Sequence, residues 1–267
     1  MISPAAHPEA AAPLISVLIP AKNEAGNIGQ LVGEVASALG PVCRFEVVLV
    51  DDGSTDGTAA EFVQSCQDLG IQGQLLQHRA SVGQSTAVAT AARHALGRFL
   101  VTIDGDGQND PADMPALLRA AQEVEAAGAE HFCIAGYRKN RQDTEWKKFQ
   151  SRIANGVRQR ILNDQVPDTG CGLKLIPKQT WAVLPYFDHM HRFIPALVCR
   201  IGGTIRVVPV NHRARHVGVS KYNAWNRLWV GLVDMAGVAW LARRAKHPVL
   251  AGHQRVAPAA TTHEKSS

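Results

Sequence analysis

The sequence has no apolar run long enough to cross a membrane as a helix. Its longest apolar segment, 228–242, contains Asp234 and is shorter than the roughly 20 residues that a membrane-spanning helix needs. The first residues, MISPAAHPEAAAP, have neither the basic start nor the continuous apolar core of a secretion signal. We expect residues 1–14 to form a disordered leader and residues 247–267, rich in Pro, Ala, Thr and Ser, a disordered tail.

Cysteine is scarce, and its distribution argues against disulfides and against a zinc site. The cysteines are scattered, with no C-x-x-C pair and no Cys/His spacing typical of zinc. An odd, dispersed set in a chain of this size is typical of reduced thiols in a cytoplasmic protein. We expect these side chains to be buried as small apolar groups rather than to act as nucleophiles. The five positions are Cys43, Cys66, Cys133, Cys171 and Cys199.

The chain has few charged residues and only a small excess of positive charge. Charged residues make up 19% of the 267 residues and hydrophobic residues 46%, which is the balance of a globular protein with one large core. The net charge of +5 gives a pI near 9.1, whereas a nucleic-acid-binding protein usually concentrates positive charge further. Phosphate-rich ligands or an anionic membrane surface are therefore the expected partners, rather than nucleic acid.

Several standard site motifs are absent. The first predicted strand is not followed by G-x-G-x-x-G, and the chain has neither a G-x-x-x-x-G-K-[ST] loop nor a G-x-S-x-G elbow. An EF-hand could place Asp104 and Asp106 at its first and third positions. It would then need Gly where Asn109 stands and Glu where Pro115 stands, so that interpretation fails.

Short apolar runs alternate with helical patterns through the first half of the chain, which predicts an α/β fold with a mostly parallel sheet flanked by helices. Asp56 and Asp113 precede two of these helices as start signals. The predicted strands are 15–20, 45–50, 73–78, 98–103, 131–136 and 205–210. The predicted helices are 25–39, 56–69, 84–96, 113–127, 144–163, 191–202 and 226–246.

Polar side chains follow the first, second and fourth predicted strands, in segments 20–24, 51–54 and 104–108. Because ligands bind at the carboxyl ends of strands in such sheets, these segments predict a site on one rim. Asp104 and Asp106 flank a glycine, and two carboxylates so close repel each other unless a positive charge lies between them. We therefore expect both to bind Mg²⁺ or Mn²⁺, whereas Asp110 caps the next helix.

Three of these segments resemble a known family. IPAKNEAGNI, VVLVDDGSTDGTA and the D-x-D-x-Q of DGDGQ look like the inverting glycosyltransferases of family 2, which have the GT-A fold. Further motifs resemble the polyprenol-phosphate glycosyltransferases, the group that includes dolichol-phosphate mannosyltransferase. These motifs are GYRKN, a helix with Ser151 and Arg152, DTGCGLKL, HRFIPAL and RHVGVSKY. The match extends over about residues 15–244.

The resemblance implies a role for each matched residue. The residues that would hold the nucleotide sugar are Pro20, Asn23, Glu24, Asp51, Asp52 and Asp104. Those that would bind the metal and the diphosphate are Asp104, Asp106 and Gln108. Those that would hold phosphate groups of the donor or the acceptor are Arg138, Lys147, Ser151, Arg213, Arg215 and Lys221.

The residues expected to be catalytic are Asp104, Asp106, Arg215 and Lys221. Arg215 and Lys221 would lie on a mobile loop with Gly218 as a hinge. The sequence departs from the family pattern at Lys147, where eukaryotic-type members carry arginine. Lysine keeps the charge but loses the bidentate fork of arginine. A solvated basic face is the alternative for any one of these cations.

The expected activity is inverting transfer of a sugar from a GDP- or UDP-sugar to a polyprenyl phosphate at the cytoplasmic face of a membrane. The catalytic domain would span 15–222, followed by an amphipathic helix over 223–246. Trp229, Val233, Ala236 and Trp240 share one face of that helix, which would lie on an anionic membrane or pack on the domain.

Two other functions remain open. One is a family 2 transferase acting on a polysaccharide or protein, although the Q-x-x-R-W motif of processive synthases is absent. The other is a non-catalytic nucleotide-sugar-binding scaffold, against which Asp104, Asp106 and the basic loop 212–222 argue. The sugar, the nucleotide base, the lipid and the oligomeric state are left undetermined by the sequence.

Overall fold

A seven-stranded sheet organises the chain, in a computed structural model that describes residues 12–138, 156, 158–162, 164, 166–213 and 224–246, with side chains in the last segment described from 231. The strand order is β3-β2-β1-β4-β6-β5-β7. Strand β6 runs antiparallel to both of its neighbours, and the other pairs are parallel. The strands are β1 Ile15–Ala21, β2 Phe45–Asp51, β3 Gly73–Gln77, β4 Phe99–Thr102, β5 Phe132–Arg138, β6 Lys174–Pro177 and β7 Thr204–Val210.

The helices of the described residues follow the predicted pattern closely. Six of the predicted helices begin and end within three residues of the observed bounds. The helices are α1 Ile28–Leu39, α2 Thr58–Leu69, α3 Gln84–His94, α4 Met114–Ala126, α5 Lys178–Ala182, α6 Ile194–Arg200 and α7 Ala224–Arg243. Among the described residues, none of these helices combines the length and apolar content needed to cross a bilayer.

The central strands are buried on both faces. Val17 and Ile19 of β1 pack in a cluster with residues of α1 and α4, whereas Leu18 between them packs with α3 on the opposite face. Successive side chains of a strand point to opposite faces, so helices cover both sides of the sheet. This explains why the strands are apolar without alternation, and it confirms the predicted α/β class.

Strand β6 is absent from the predicted strands. It is four residues long, begins with a lysine and ends with a proline, and neither residue favours a central strand. It nevertheless pairs with β4 from Phe99↔Pro177 to Thr102↔Lys174. The insertion of β6 brings segment 168–174 beside the end of β4.

One of the two predicted helix starts is corrected by the structure. Asp113 lies at the first position before α4, but its carboxylate makes no cap and instead accepts from the backbone and side chain of Asn211. Asp56 accepts from the backbone N–H and hydroxyl of Thr58, at the start of α2. Asp113 thus ties the β7 end to α4, a contact between residues far apart in sequence.

The loop after β1 is fastened to the segment after β2. Backbone N–H groups of Asn23, Glu24, Ala25 and Gly26 donate in turn to side chains of that segment. Glu61 accepts from Gly26 at 2.6 Å and from Gly29, the second residue of α1, at 2.7 Å. Helix α1 has no side-chain cap of its own, so Glu61 of α2 satisfies its orphan donors and places negative charge at its N-terminus.

The five cysteines are free thiols. Three of them, Cys66, Cys133 and Cys171, are buried, and the other two are half-buried. Burial raises the pKa of Cys66 to about 11 and that of Cys133 to about 12. A thiol must ionise to act as a nucleophile, so the structure agrees with the expected apolar role.

We expect Glu61→Ala to destabilise the fold by about 1–2 kcal/mol, because two donors at the start of α1 lose their acceptor. Thermal or urea unfolding followed by circular dichroism measures this. Gln67→Ala, at an exposed position of α2, the helix that also carries Glu61, is the control and should change stability by less than about 0.5 kcal/mol. Equal effects of the two substitutions would contradict the cap.

Candidate active site at the carboxyl ends of the strands

Asp104 lies just beyond β4, at the point where the strand order reverses between β1 and β4. Its carboxylate is half-buried and accepts a hydrogen bond from the side chain of Gln84 at 2.7 Å. Gly172 lies directly against this carboxylate, and a Cβ at that position would overlap it. A side chain at residue 172 is therefore incompatible with the observed position of Asp104.

The electrostatic surroundings oppose the negative charge of Asp104. Burial and the neighbouring carboxylate of Asp106 raise the pKa of Asp104, while the cations of Lys174 and Arg138 act in the opposite direction. Lys174 is buried at 4% exposure, and its ammonium donates to the backbone carbonyl of Cys171. A carboxylate that is still disfavoured beside a buried lysine is suited to gain a further positive partner.

A cleft opens beside Asp104. Side chains from separate parts of the chain line it, so only the folded sheet assembles it. They include Pro20, Gln84, Thr102, Asp104, Lys174 and His191.

The rest of the D-x-D-x-Q motif turns away from β4 in a tight loop. Asp106 is buried, and its carboxylate accepts from the backbone N–H of Gln108 at 3.1 Å. Asp110 accepts from the backbone N–H of Ala112 and caps the short 3₁₀ helix that leads into α4. The capping role expected for Asp110 is confirmed.

The donor set at this loop fits a hard divalent cation. Among the described residues no three His, Cys, Asp or Glu side chains lie close enough together to hold a metal by themselves. Asp104 and Asp106 would thus supply two carboxylates, with Gln108 as a further oxygen donor, and leave positions for substrate phosphate and water. The raised pKa of Asp104 is the observation that supports the fit.

The residues after β1 and β2 that were predicted to hold a nucleotide lie on neighbouring loops, as expected. Asn23 adopts a left-handed backbone with φ 54°, and its side-chain oxygen accepts from the N–H of Thr55. Glu24 accepts from the side chain of Asn27, and Asp51 accepts from the N–H of Ser54. These side chains shape the two loops, and their contact with a nucleotide stays a prediction.

Asp52 organises the loop after β3. Its carboxylate accepts from the hydroxyl of Ser81 at 2.7 Å and from the N–H groups of Val82 and Gly83, and it pairs with Nδ1 of His78 at 2.7 Å. Burial disfavours the charge, but the hydrogen bonds from His78, Val82, Ser81 and Gly83 outweigh it and lower the pKa of Asp52. The charged form of Asp52 is therefore the stable one.

The predicted phosphate-binding residues are only partly described. Arg138 forms a bidentate pair with Asp168, at 2.6 and 2.9 Å. Arg213 donates to Glu34 at 2.7 Å and to Asp110 at 2.6 Å. Because two carboxylates already engage its guanidinium, the structure supports a role for Arg213 in joining distant segments, α1 and the turn at Asp110, rather than as a free cation. The residues outside the described part of the chain are Lys147, Ser151, Arg215 and Lys221.

Sequence reasoning missed the first turn of α3. Gln84 donates to Asp104, Ser85 bonds His191 at 2.7 Å, and Thr86 bonds the hydroxyl of Tyr186 at 2.7 Å. The polar run Gln-Ser-Thr after Gly83 was a visible signal, but such residues at a helix start are ordinarily capping residues. Three consecutive side chains here join α3 to two other segments, the end of β4 and residues 186–191.

Comparison with known proteins identifies the family. Residues 16–181 match the sequence profile of glycosyl transferase family 2. The chain is 33% identical over 238 residues to dodecaprenyl-phosphate galacturonate synthase of Rhizobium johnstonii, covering 88% of this chain and 69% of that protein. It is 30% identical over 209 residues to undecaprenyl-phosphate 4-deoxy-4-formamido-L-arabinose transferase of Edwardsiella ictaluri, covering 78% and 62% of the two chains.

Solved structures share the fold. Glucosyl-3-phosphoglycerate synthase of Mycobacterium tuberculosis, crystallised with Mg²⁺ and UDP, superposes with a TM-score of 0.63 at 16% identity, over 89% of this chain and 81% of that one. A mannosyltransferase of Pyrobaculum calidifontis, crystallised with GDP-Man and Mn²⁺, gives 0.65 at 22% identity, over 90% and 67%. These likenesses confirm the GT-A-like fold.

The profile match covers more than half of the chain, and the paired aspartates lie at the strand ends where this fold carries its ligands. The chain is a glycosyltransferase that belongs to glycosyl transferase family 2, and its curated relatives are polyprenyl-phosphate glycosyltransferases.

Proposed function

We propose that this chain transfers a sugar from a nucleoside-diphosphate sugar to the phosphate of a polyprenyl lipid, with inversion at the anomeric carbon. The observation that carries the proposal is the placement of Asp104 in the lining of a cleft, where burial and the neighbouring carboxylate of Asp106 raise the pKa of Asp104. The names of both curated relatives describe sugar transfer to dodecaprenyl or undecaprenyl phosphate.

The proposed sugar transfer needs little proton transfer by the protein. A phosphate oxygen of the lipid is already ionised at neutral pH, so it can attack the anomeric carbon as the bond to the nucleoside diphosphate breaks. Two anionic reactants must instead be brought together, which requires positive charge at short range. A divalent cation bound by Asp104, Asp106 and Gln108 would neutralise the charge that develops on the leaving diphosphate.

Cations of this chain supply the rest of that charge. Lys174 is buried beside Asp104, and Arg138 acts on the same carboxylate from β5. We propose that Lys174, which lines the cleft, holds phosphate oxygens there, and that Arg138, whose guanidinium pairs with Asp168, adds positive charge beside it. Ser151, Arg215 and Lys221, which lie outside the described residues, complete the phosphate-binding set by their match to the family motifs, and Lys147 supplies a charge where the family pattern has arginine.

The loops after β1 and β2 are the proposed site of the nucleotide. They carry polar side chains at the same rim as Asp104, and Pro20 lines the cleft itself. The mutual hydrogen bonds of these loops, such as Asn23 to Thr55 at 2.8 Å, hold their shape before a ligand binds. A preformed loop pair loses less conformational freedom when a base and ribose dock on it.

The exposed face of α7 is the proposed contact with a membrane. Val238 and Ala239 pack against α6, whereas Val233 and Trp240 are 57% and 59% exposed. Arg244 lies over the Trp240 ring at 5.8 Å. An exposed tryptophan with adjacent arginines is suited to the interface of an anionic bilayer, where a lipid acceptor would be reached.

The activity is tested by incubating the purified chain with undecaprenyl phosphate, Mg²⁺ or Mn²⁺, and in turn UDP-galacturonate, UDP-glucose and GDP-mannose. Mass spectrometry of the lipid fraction should show one glycosylated lipid that depends on the cation. The absence of a glycosylated lipid with every donor would contradict the proposal.

We expect Asp104→Asn to lower kcat by about 100-fold or more, since one ligand of the cation is lost. The melting temperature should not fall, because asparagine removes a charge that burial and Asp106 disfavour. In differential scanning fluorimetry, Mn²⁺ with UDP should stabilise the wild type but not the variant.

Asp110→Asn is the matched control. Asp110 caps the 3₁₀ helix and pairs with Arg213, and asparagine keeps an oxygen that can accept from either partner, so kcat should stay within about threefold. If Asp104→Asn keeps full activity, or if Mn²⁺ with UDP stabilises it as much as the wild type, the metal site is wrong.

We expect Trp240→Ala combined with Val233→Ser to reduce binding to vesicles containing anionic lipid by about tenfold, because burial of apolar area in the bilayer interface is lost. Co-sedimentation with vesicles that contain phosphatidylglycerol measures this. Val183→Ser, at a position 52% exposed elsewhere on the surface, should bind as the wild type does. Unchanged sedimentation of the double variant would show that this face does not touch the membrane.

A further inference from the structure

His191 borders the cleft from a segment that two hydrogen bonds fasten to the first turn of α3. It lies in a 3₁₀ helix, Met190–Arg192, and lines the same cleft as Asp104. Tyr186 bonds Thr86 at 2.7 Å, and His191 bonds Ser85 at 2.7 Å. Both partners belong to α3, so the position of His191 relative to Gln84 and Asp104 is fixed by one rigid turn.

The hydrogen bonds of Ser85 assign the tautomer of His191. Ser85 is 1% exposed, and its hydroxyl accepts from the backbone N–H of His191 at 3.3 Å and lies 2.7 Å from the Nδ1 atom of its ring. Within the described residues Nδ1 is the one acceptor that this buried hydroxyl hydrogen can reach, so Ser85 donates to it. A neutral imidazole that accepts at Nδ1 carries its hydrogen on Nε2.

Nε2 is left available to a ligand. The hydrogen bonds of His191 within the described residues involve Nδ1 and the backbone, and Nε2 is not among the buried polar atoms that lack a partner. Its N–H is therefore accessible at the cleft. Burial, with the cations of Arg192, Lys174 and His189, lowers the pKa of His191 to about 3, so this donor is uncharged at neutral pH.

We propose that the Nε2–H of His191 donates a hydrogen bond to a hydroxyl of the transferred sugar and so contributes to the choice of sugar. This inference rests on the proposed function. The diphosphate and the lipid phosphate are anions, and the positive charges of Lys174 and Arg138 attract them. An uncharged N–H in a half-buried position matches an uncharged hydroxyl. A site built to bond a hydroxyl discriminates strongly against a sugar that lacks it.

Two substitutions of His191 separate the roles of its two ring nitrogens. Asparagine places its polar group near Nδ1 and removes the donor at Nε2, whereas glutamine reaches the position of Nε2 with an N–H. We expect His191→Asn to weaken binding of the sugar nucleotide by about tenfold and His191→Gln by less than about threefold. Binding of the free nucleoside diphosphate should be unchanged in both variants, because it lacks the transferred sugar that Nε2 is proposed to contact.

Isothermal titration calorimetry with Mn²⁺ measures these affinities, using UDP-galacturonate against UDP and GDP-mannose against GDP. His189→Asn is the matched control. His189 lies in the same loop with a left-handed backbone of φ 62°, which asparagine tolerates, and its ring pairs with Asp234 at 3.1 Å rather than with the cleft. This control should bind both ligands as the wild type does.

Ser85→Ala gives an independent variant in which His191 stays whole. Without the bond at Nδ1, the hydrogen of the neutral imidazole is no longer held on Nε2. We therefore expect sugar-nucleotide binding to weaken by about threefold and binding of the nucleoside diphosphate to stay unchanged. A wild-type chain that binds no sugar nucleotide would refute the proposed function. Two results would refute the role of His191 and leave the proposed function standing, provided that the wild type binds the sugar nucleotide. In the first, His191→Asn and Ser85→Ala bind the sugar nucleotide as tightly as the wild type. In the second, they bind the free nucleoside diphosphate more weakly by the same factor as the sugar nucleotide.

Discussion

The unfavourable environment of the Asp104 carboxylate is the constraint around which this structure is arranged. Burial and Asp106 oppose its charge, and Lys174 and Arg138 offset part of that cost. The space for the carboxylate exists because residue 172 is glycine. The antiparallel β6 matters for the same reason, since it places both Gly172 and Lys174 beside the end of β4. A site where burial and a like charge disfavour a carboxylate is suited to bind a cation together with the diphosphate and to release both.

Side chains that begin α3 connect this carboxylate to the rest of the cleft. Gln84 reaches Asp104, and Ser85 and Thr86 hold the segment that carries His191. The loop before α3 is held in turn by Asp52, whose carboxylate accepts from Gly83 at the helix start. A carboxylate at the end of β2 therefore fixes the position of groups at the end of β4. Substitutions far from the reacting atoms can thus alter catalysis through geometry.

Helix α7 illustrates how one segment serves the fold with one face and leaves the other exposed. Met235, Val238 and Ala239 contact the cluster around α6, and Arg200 donates to the carbonyl of Leu241 at 3.1 Å. The face with Val233, Ala236 and Trp240 was expected either to pack on the domain or to meet a membrane. In the structure it is the exposed face, so packing is provided by other side chains of the same helix.

The sequence by itself determined the α/β class, most of the strands and helices, and the position of Asp104 and Asp106 directly after a buried strand. These features are local, because strand burial, helix periodicity and the residues that end each strand can be read within short windows. The tertiary structure decided the rest. It alone brings Lys174, Gln84 and His191 to Asp104, since each comes from a separate segment. It also assigns Asp113 and Arg213 to contacts between segments that are far apart in sequence. A carboxylate or guanidinium pairs with whichever group the folded chain places beside it, and sequence spacing does not specify that group.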